Sequence, residues 1–114
     1  LEIYGDGNQT RDFIFIEDLL EAIMLVYAKD KIGGEIFQIA TNAETTVNKM
    51  ANQLVKIMEA KGLKSLRVLH AEARLGDVLR NYSDTSKAAK ILGWTVNTNL
   101  EYGLKETIDW FFDK

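Results

Sequence analysis

The spacing of apolar residues switches repeatedly between an alternating and a helical pattern along this 114-residue chain. Runs rich in β-branched and aromatic residues predict three short strands, over residues 11–16, 35–40 and 66–70. Apolar stripes at helical spacing predict four helices, one after each strand and one at the end of the chain. Strands that alternate with helices are typical of an α/β fold, and three strands fill only a small mixed sheet.

Polar residues before the apolar stripes predict where the helices begin. We expect Asp18 to cap the first helix, Thr45 or Thr46 the second and Asp84 the third, while residues 98–101 have the spacing of a capping box for the fourth. Gly93 is placed to end the third helix. The first helix carries apolar residues over a wide face, so we expect it to be deeply packed.

Composition excludes several classes of protein. The chain has 46% hydrophobic and 27% charged residues, and a net charge of -3 argues against nucleic acid as the main partner. No apolar run approaches the roughly 20 residues that span a bilayer, so no membrane is expected. Cysteine is absent, which favours a cytoplasmic protein. The chain begins at Leu1 and has few strands, so we expect one domain, residues 1–114, cut from a longer protein.

Three long motifs carry a family resemblance: "IYGDGNQTRDFIFIEDLLEAI", "RLGDVLRNYSDTSKAAKILGW" and "TNLEYGLKETIDWF". The sequence resembles the C-terminal, substrate-binding part of the NAD-dependent nucleotide-sugar epimerases and dehydratases, which are extended short-chain dehydrogenases/reductases. UDP-glucose 4-epimerase-like proteins are the nearest group. The resemblance covers practically the whole chain, and it implies the C-terminal part of an extended Rossmann-type fold and a nucleotide-sugar ligand, with UDP-sugar favoured.

The resemblance implies substrate-binding roles for four residues. Arg11 and Arg74 would hold the diphosphate, Asp77 would bind the ribose, and Phe13 stands where relatives carry phenylalanine or tyrosine. The chemistry suits these roles, because a guanidinium forms forked, charge-assisted hydrogen bonds to phosphate oxygens. Leu75 departs from the family, since relatives often have proline there, and the loop loses the stiffness that proline would give.

Simpler interpretations stay open for the same residues. Arg11 could form a surface ion pair with Asp12 or Asp18, and Arg74 could pair with Asp77 within its loop. Strand alternation also allows Phe13 to be a core aromatic.

The chain lacks what catalysis in this family needs. Gly5 and Gly7 precede a strand rather than a helix, so they predict a turn and not a site for the NAD pyrophosphate. Tyr27 and Lys31 imitate the spacing of the family's Tyr-x-x-x-Lys pair, but we expect core packing for the tyrosine and a helix-end position for the lysine. We therefore predict no catalytic residue and no NAD-binding residue, and His70 has no companion for a metal site.

Two classes of function remain. The first is the nucleotide-sugar-binding part of an NAD-dependent epimerase or dehydratase, whose parent enzyme is expected to be a homodimer and whose present part alone is expected to be inactive. A dTDP-sugar 4,6-dehydratase-type lyase is a variant of this hypothesis. The second is a non-catalytic binding or assembly module that keeps the fold and uses exposed apolar surface to contact another protein.

Overall fold

The computed structural model describes residues 1–113, and within them the α/β fold class is confirmed. These residues form four helices and four short strands. In chain order the elements are β1 (Glu2–Tyr4), β2 (Thr10–Arg11), α1 (Ile16–Ala28), β3 (Thr45–Thr46), α2 (Val47–Ala60), β4 (Leu69–Ala71), α3 (Ser86–Leu92) and α4 (Leu100–Phe112). β1 pairs in parallel with β4, and β2 pairs antiparallel with β3, so the strands form two small sheets. No described helix has the length and apolar character that crossing a membrane requires.

The parallel pair joins the beginning of the chain to its middle. Ile3 is buried and lies opposite His70 in this pair. The backbone N–H of Gly5 donates to Ala71 (3.0 Å), and His70 Nδ1 lies 2.8 Å from the Gly5 carbonyl oxygen. β1 was not predicted from the sequence, and the strand predicted over 66–70 forms at 69–71.

The predicted strand over 11–16 is wrong beyond its first residue. Only Thr10 and Arg11 pair with β3, and α1 already begins at Ile16. The chain leaves the sheet because the Asp12 carboxylate accepts hydrogen bonds from the Thr41 backbone N–H (2.7 Å) and from the Ser83 backbone N–H (3.3 Å). Non-local hydrogen bonds thus replace the strand ladder.

The predicted strand over 35–40 is also wrong, since these residues form no regular element. Phe37 and Ile39 instead pack against a buried cluster, and Ala40 is buried. The apolar alternation reflects this packing of an extended segment, because burial alone produces the same pattern as a half-buried strand.

One predicted helix start is confirmed, at Thr46, and two are displaced by one residue, since Asn99 rather than Thr98 caps α4 and Thr85 rather than Asp84 caps α3. The Thr46 hydroxyl accepts from the Lys49 backbone N–H (3.1 Å) at the start of α2, and Asn99 Oδ1 accepts from the Tyr102 backbone N–H (2.9 Å) at the start of α4. Asp84 lies one residue before the cap of α3 and accepts from the Ser86 backbone N–H. Gly93 ends α3 with φ of 75°, as predicted.

Asp18 does not cap α1. It lies inside the first turn, is 3% exposed, and accepts hydrogen bonds from the backbone N–H groups of Asn97 (3.0 Å) and Thr98 (3.2 Å). The Trp94 indole N–H donates to the Asp18 carbonyl oxygen (3.0 Å). A carboxylate buried in this way is satisfied by the segment before α4, so it fastens α1 to that segment.

The main buried cluster joins α1 to α3. We call it the Trp94 cluster; its members are Ala22, Ala88, Leu92 and Trp94. The expected deep packing of α1 is wrong, because only Asp18 and Ala22 of this helix are buried. One side of α1 faces α3, and residues on the other side remain exposed, including Leu20, Met24 and Tyr27. Tyr27 is therefore not a core residue.

Candidate functional site

A turn at the end of β1 fixes the strand that carries Arg11. Gly7 has φ of +74°, and a side chain there would collide with Asn48, whose Oδ1 would lie 2.0 Å from a Cβ atom. Asn48 holds the turn from α2, since its Nδ2 donates to the Asp6 carbonyl oxygen (2.8 Å) and its backbone N–H donates to Gly7 (3.0 Å). Gly5 and Gly7 thus form the predicted turn, which places β2 beside β3.

Arg11 lies at the end of β2 and reaches into the loop between β4 and α3. We call residues 72–85 the β4–α3 loop. One terminal nitrogen of Arg11 donates to the carbonyl oxygens of Thr10 (2.7 Å) and Val78 (2.6 Å), and the other donates to Asp77 Oδ1 (2.5 Å). The partner of Arg11 is therefore Asp77, and neither Asp12 nor Asp18.

Asp77 is presented by a tight turn of this loop. Its backbone N–H donates to the Arg74 carbonyl oxygen (3.2 Å), and Gly76 adopts φ of +81°. Gln9 approaches the same carboxylate from the β1–β2 turn at 3.4 Å. About one third of the Asp77 side chain is exposed, so the pair with Arg11 lies at an accessible surface.

Arg74 does not pair with Asp77 in the structure. Its guanidinium carbon lies 3.7 Å from the ring centroid of Tyr4, the last residue of β1. This is a cation–π contact, which orients the guanidinium without neutralising its charge. The structure therefore brings Arg11 and Asp77 into direct contact and places Arg74 in the same turn as Asp77.

Phe13 lies among packed apolar residues and not among the contacts of Arg11 and Asp77. It lines a cleft between α2 and α4 together with Met50, Leu100 and Leu104. This position favours the interpretation of Phe13 as a core aromatic. Its role in substrate binding stays a prediction.

Sequence reasoning missed two residues that hold the β4–α3 loop. Arg80 donates from Nε to Glu44 Oε1 (2.8 Å) and from a terminal nitrogen to Glu44 Oε2 (2.6 Å), and the Thr10 hydroxyl donates to the same carboxylate (2.8 Å). The Arg80 hydrogen bonds, followed by that of Thr10, lower the pKa of Glu44 to about 2, and the carboxylate raises the pKa of Arg80. The only signal in the sequence was the place of Arg80 three residues after Asp77.

The loop is held by polar contacts. The Thr10 backbone N–H donates to the Leu79 carbonyl oxygen (2.9 Å), in addition to the bond from Arg11 to Val78. The side chains of Leu75, Val78 and Leu79 are all exposed, Leu75 completely. Hydrogen bonds to β2 and to Glu44, the residue before β3, therefore fix the loop, with little apolar burial.

This arrangement can bind an anion next to a group that accepts from hydroxyls. Three of the five Arg11 N–H donors are engaged, and two have no hydrogen-bond partner within residues 1–113. Arg74 contributes a second guanidinium from the turn that carries Asp77. Two guanidinium groups near one carboxylate suit a phosphorylated ligand that also bears hydroxyl groups.

Comparison with known proteins identifies the family. The sequence model of the family described as GDP-mannose 4,6 dehydratase matches residues 1–107. The chain belongs to the GDP-mannose 4,6 dehydratase family. The resemblance to extended NAD-dependent epimerases and dehydratases is thereby confirmed.

Epimerases and dehydratases of known sequence match the chain over nearly its whole length. UDP-glucose 4-epimerase of Mycolicibacterium smegmatis is 31% identical over 113 residues, which are 99% of this chain and 34% of that protein. dTDP-glucose 4,6-dehydratase of Haemophilus influenzae is 32% identical over 120 residues, covering 97% of this chain and 35% of that protein. The chain thus spans about a third of the length of these relatives.

Solved structures of family relatives share the fold. The chain superposes on UDP-glucose 4-epimerase of Thermotoga maritima, solved with UDP-glucose, with a TM-score of 0.88 and 33% identity over 99% of this chain and 35% of that one. UDP-glucuronic acid 4-epimerase of Bacillus cereus, in complex with UDP-glucuronic acid and NAD, gives 0.87 and 28% over 99% and 35%. The match is to the C-terminal part of such structures.

The described residues of this family member do not suit NAD. The Gly5–Gly7 turn leads from β1 into β2, so its amides do not stand at a helix N-terminus, where a pyrophosphate would bind. Lys31, in the Tyr27–Lys31 pair, lies beyond the end of α1 with φ of 61°, and Tyr27 is 86% exposed. Tyr27 and Lys31 are therefore assigned no catalytic role.

Proposed function

We propose that this chain is the nucleotide-sugar-binding part of an NAD-dependent epimerase or dehydratase, with a UDP-sugar as its ligand. Arg11 and Arg74 bind the diphosphate, and Asp77 accepts from a ribose hydroxyl. The single observation that carries the proposal is the contact between Arg11 and Asp77, which unites two motifs 66 residues apart.

Ligand binding on this account rearranges one ion pair. In the ligand-free chain Asp77 neutralises part of the Arg11 charge at an accessible surface. A diphosphate offers Arg11 a doubly charged acceptor, so Asp77 is released toward a neutral donor such as a ribose hydroxyl. Val78 and Thr10 keep their hydrogen bonds to Arg11, which holds its guanidinium in place during the exchange.

Relatives support the choice of ligand. The Thermotoga maritima and Bacillus cereus structures contain UDP-glucose and UDP-glucuronic acid, and the latter also contains NAD. We extend this to the present protein, and we assign the hydride and proton transfers to parts of the enzyme outside residues 1–114. The parent enzyme is proposed to be a cytoplasmic homodimer of carbohydrate metabolism, and the lack of cysteine is compatible with that compartment.

Calorimetric titration of UDP into the full-length protein tests the proposal. Arg11→Ala and Arg74→Ala should each weaken UDP binding by about tenfold or more, since hydrogen bonds to charged groups contribute about 1.5–3 kcal/mol. Arg11→Lys should recover only part of the loss, because an ammonium lacks the forked geometry. Arg67→Ala, an exposed arginine before β4, is the matched control and should bind UDP as the wild type does.

Two outcomes would contradict the proposal. One is wild-type protein that does not bind UDP; the other is unchanged affinity in both Arg11→Ala and Arg74→Ala. Tighter binding of dTDP than of UDP would move the assignment to the dTDP-sugar dehydratase variant.

A binding or assembly module is the second candidate, and one observation favours it. α1 exposes apolar side chains on the side away from α3, among them Leu20, Ile23 and Met24. Such a module does not need the arginine pair. UDP affinity that is indifferent to Arg11→Ala and Arg74→Ala would therefore favour this function.

A further inference from the structure

The forked pair between Glu44 and Arg80 stands beside the candidate site without belonging to it. Glu44 precedes Thr45, and Thr45 is the partner of Arg11 in the β2–β3 pair. Arg80 follows Val78 and Leu79, whose carbonyl oxygens accept from Arg11 and from the Thr10 backbone N–H. The pair thus joins the two sides of the site just beyond its last backbone contacts.

We propose that Glu44 and Arg80 are positioning residues that hold the β4–α3 loop against β2, so that Asp77 and Arg74 face Arg11 before the ligand arrives. This inference rests on the proposed function, because it names what aligns the same site.

Exposure explains why the loop needs such a contact. Leu75 and Leu79 expose most of their side chains, so apolar burial contributes little to fixing residues 75–79. A loop ordered only by its ligand would lose binding free energy to the cost of ordering, whereas a preformed loop avoids that cost. A forked arginine–carboxylate pair restricts the loop in orientation as well as in position.

The hydroxyl of Thr10 extends the contact to β2. It donates to the same Glu44 oxygen that accepts from Arg80 Nε, so the carboxylate bridges the loop and the strand. About one quarter of the Glu44 side chain and about two thirds of the Arg80 side chain are exposed, and the hydrogen bonds from Arg80 lower the pKa of Glu44, so the carboxylate stays ionised down to acidic pH. Arg80 itself is directed at Glu44 by two donors, which argues that it serves the loop and not the phosphate.

If Arg80 were instead a third direct phosphate ligand, Glu44→Gln would change UDP affinity in the opposite direction. If Arg80 bound phosphate, Glu44 would compete with the ligand, and Glu44→Gln would tighten UDP binding. If the pair positions the loop, Glu44→Gln weakens binding, although it removes a negative charge from the surroundings of an anion. Glutamine has nearly the same shape as glutamate and still offers an acceptor to the Thr10 hydroxyl. Glu44→Gln therefore tests the effect of the negative charge alone.

The experiment is a double-mutant cycle on UDP affinity in the full-length protein, with Glu44→Gln, Arg80→Gln and the double variant. Each single variant should weaken UDP binding about threefold to tenfold, and the double variant should lose no more than either single one, because coupled residues are not additive. The exchanged pair, Glu44→Arg with Arg80→Glu, should recover part of the affinity. Amide hydrogen exchange at Thr10 should speed up in the single variants, since its acceptor is Leu79 of the loop.

Glu35→Gln is the matched control, because Glu35 forms an exposed ion pair of similar length, 2.7 Å, with Lys87 of α3. It should change neither UDP affinity nor Thr10 exchange. Glu44→Gln that binds UDP as tightly as the wild type or more tightly, or losses that simply add in the double variant, would overturn the inference. Failure of both Arg11→Ala and Arg74→Ala to weaken UDP binding would instead overturn the proposed function, so the two failures are distinguishable.

Discussion

The Trp94 cluster and the β4–α3 loop are fixed by different forces. In the Trp94 cluster the indole is 2% exposed and its N–H donates to Asp18, so apolar burial and satisfied hydrogen bonds act together. In the loop, the side chains of Leu75 and Leu79 are exposed. Arg11 and Thr10 donate hydrogen bonds to the loop backbone, and the Arg80 side chain donates to Glu44, so polar contacts hold the loop.

This difference separates stability from binding. Burial of large apolar side chains dominates the free energy of folding, whereas exposed polar contacts contribute little to it. The same polar contacts can still set the geometry of a binding surface. We therefore expect changes in the Trp94 cluster to lower stability and changes in the loop to lower affinity.

The largest effect is expected for Trp94→Ala. Removing a fully buried indole from between α1 and α3 leaves a cavity, which costs about 3–5 kcal/mol of unfolding free energy. Urea denaturation followed by circular dichroism measures the loss. Trp110→Ala, at a position that is 54% exposed, is the control and should cost clearly less. Equal losses of unfolding free energy in the two variants would contradict the distinction between the two regions.

Asp18→Ala should have the next largest effect. It removes the acceptor of the part-buried hydrogen bonds from the backbone N–H groups of Asn97 and Thr98, at a cost of about 1–3 kcal/mol. The same denaturation assay applies, with Glu17→Ala in the same turn as an exposed control. The folded fraction of Asp18→Ala should bind UDP as the wild type does, and a loss of UDP affinity there would argue that the regions are coupled.

Acidification should release the loop with a smaller effect. Folding depresses the pKa of Glu44 from 4.5 to about 2, so its contribution is complete above about pH 4.5 and is lost as the pH falls toward 2. Hydrogen exchange of the Thr10 amide, compared between wild type and Glu44→Gln, should differ at pH 5 and converge near pH 2. A difference that persists at pH 2 would contradict the assigned ionisation.

The smallest effect is expected for Leu75→Ser. The Leu75 side chain is fully exposed, so this substitution should change the unfolding free energy by no more than about 0.5 kcal/mol. Val68→Ser, at a less exposed position just before β4, is a useful comparison and should cost more. A large loss in Leu75→Ser, seen by thermal denaturation, would mean that the loop depends on apolar packing after all.

Local signals in the sequence predicted the helices well and the strands poorly. Thr46 and Gly93 act through contacts within four residues, so a short window of sequence suffices to recognise them, and the cap of α4 lies one residue from the predicted capping box. Residues 12–15 look like a strand because they are rich in aromatic and β-branched types, and residues 35–40 because their apolar residues alternate, yet neither backbone finds a partner strand. Pairing is a non-local property that the alternation does not report.

The carboxylates show the same limit at the site. Asp12 was one alternative partner for Arg11 and Asp18 was the predicted cap of α1, but Asp12 accepts from residues 29 and 71 positions away, and Asp18 from residues 79 and 80 positions away. Arg11 and Asp77 were found through family motifs, and their contact spans 66 positions. Glu44 and Arg80 lie outside the residues that those motifs mark as ligands, so only the folded chain brings them to attention.

The most direct test of the central claim is a titration of UDP into the full-length protein, followed by NMR of the arginine side-chain N–H groups, with uridine as the control. We expect saturable shifts at Arg11 and Arg74 with UDP and none of comparable size with uridine, because the diphosphate replaces Asp77 as the partner of Arg11. Equal responses to UDP and uridine, or UDP binding that leaves both arginines unshifted, would contradict it.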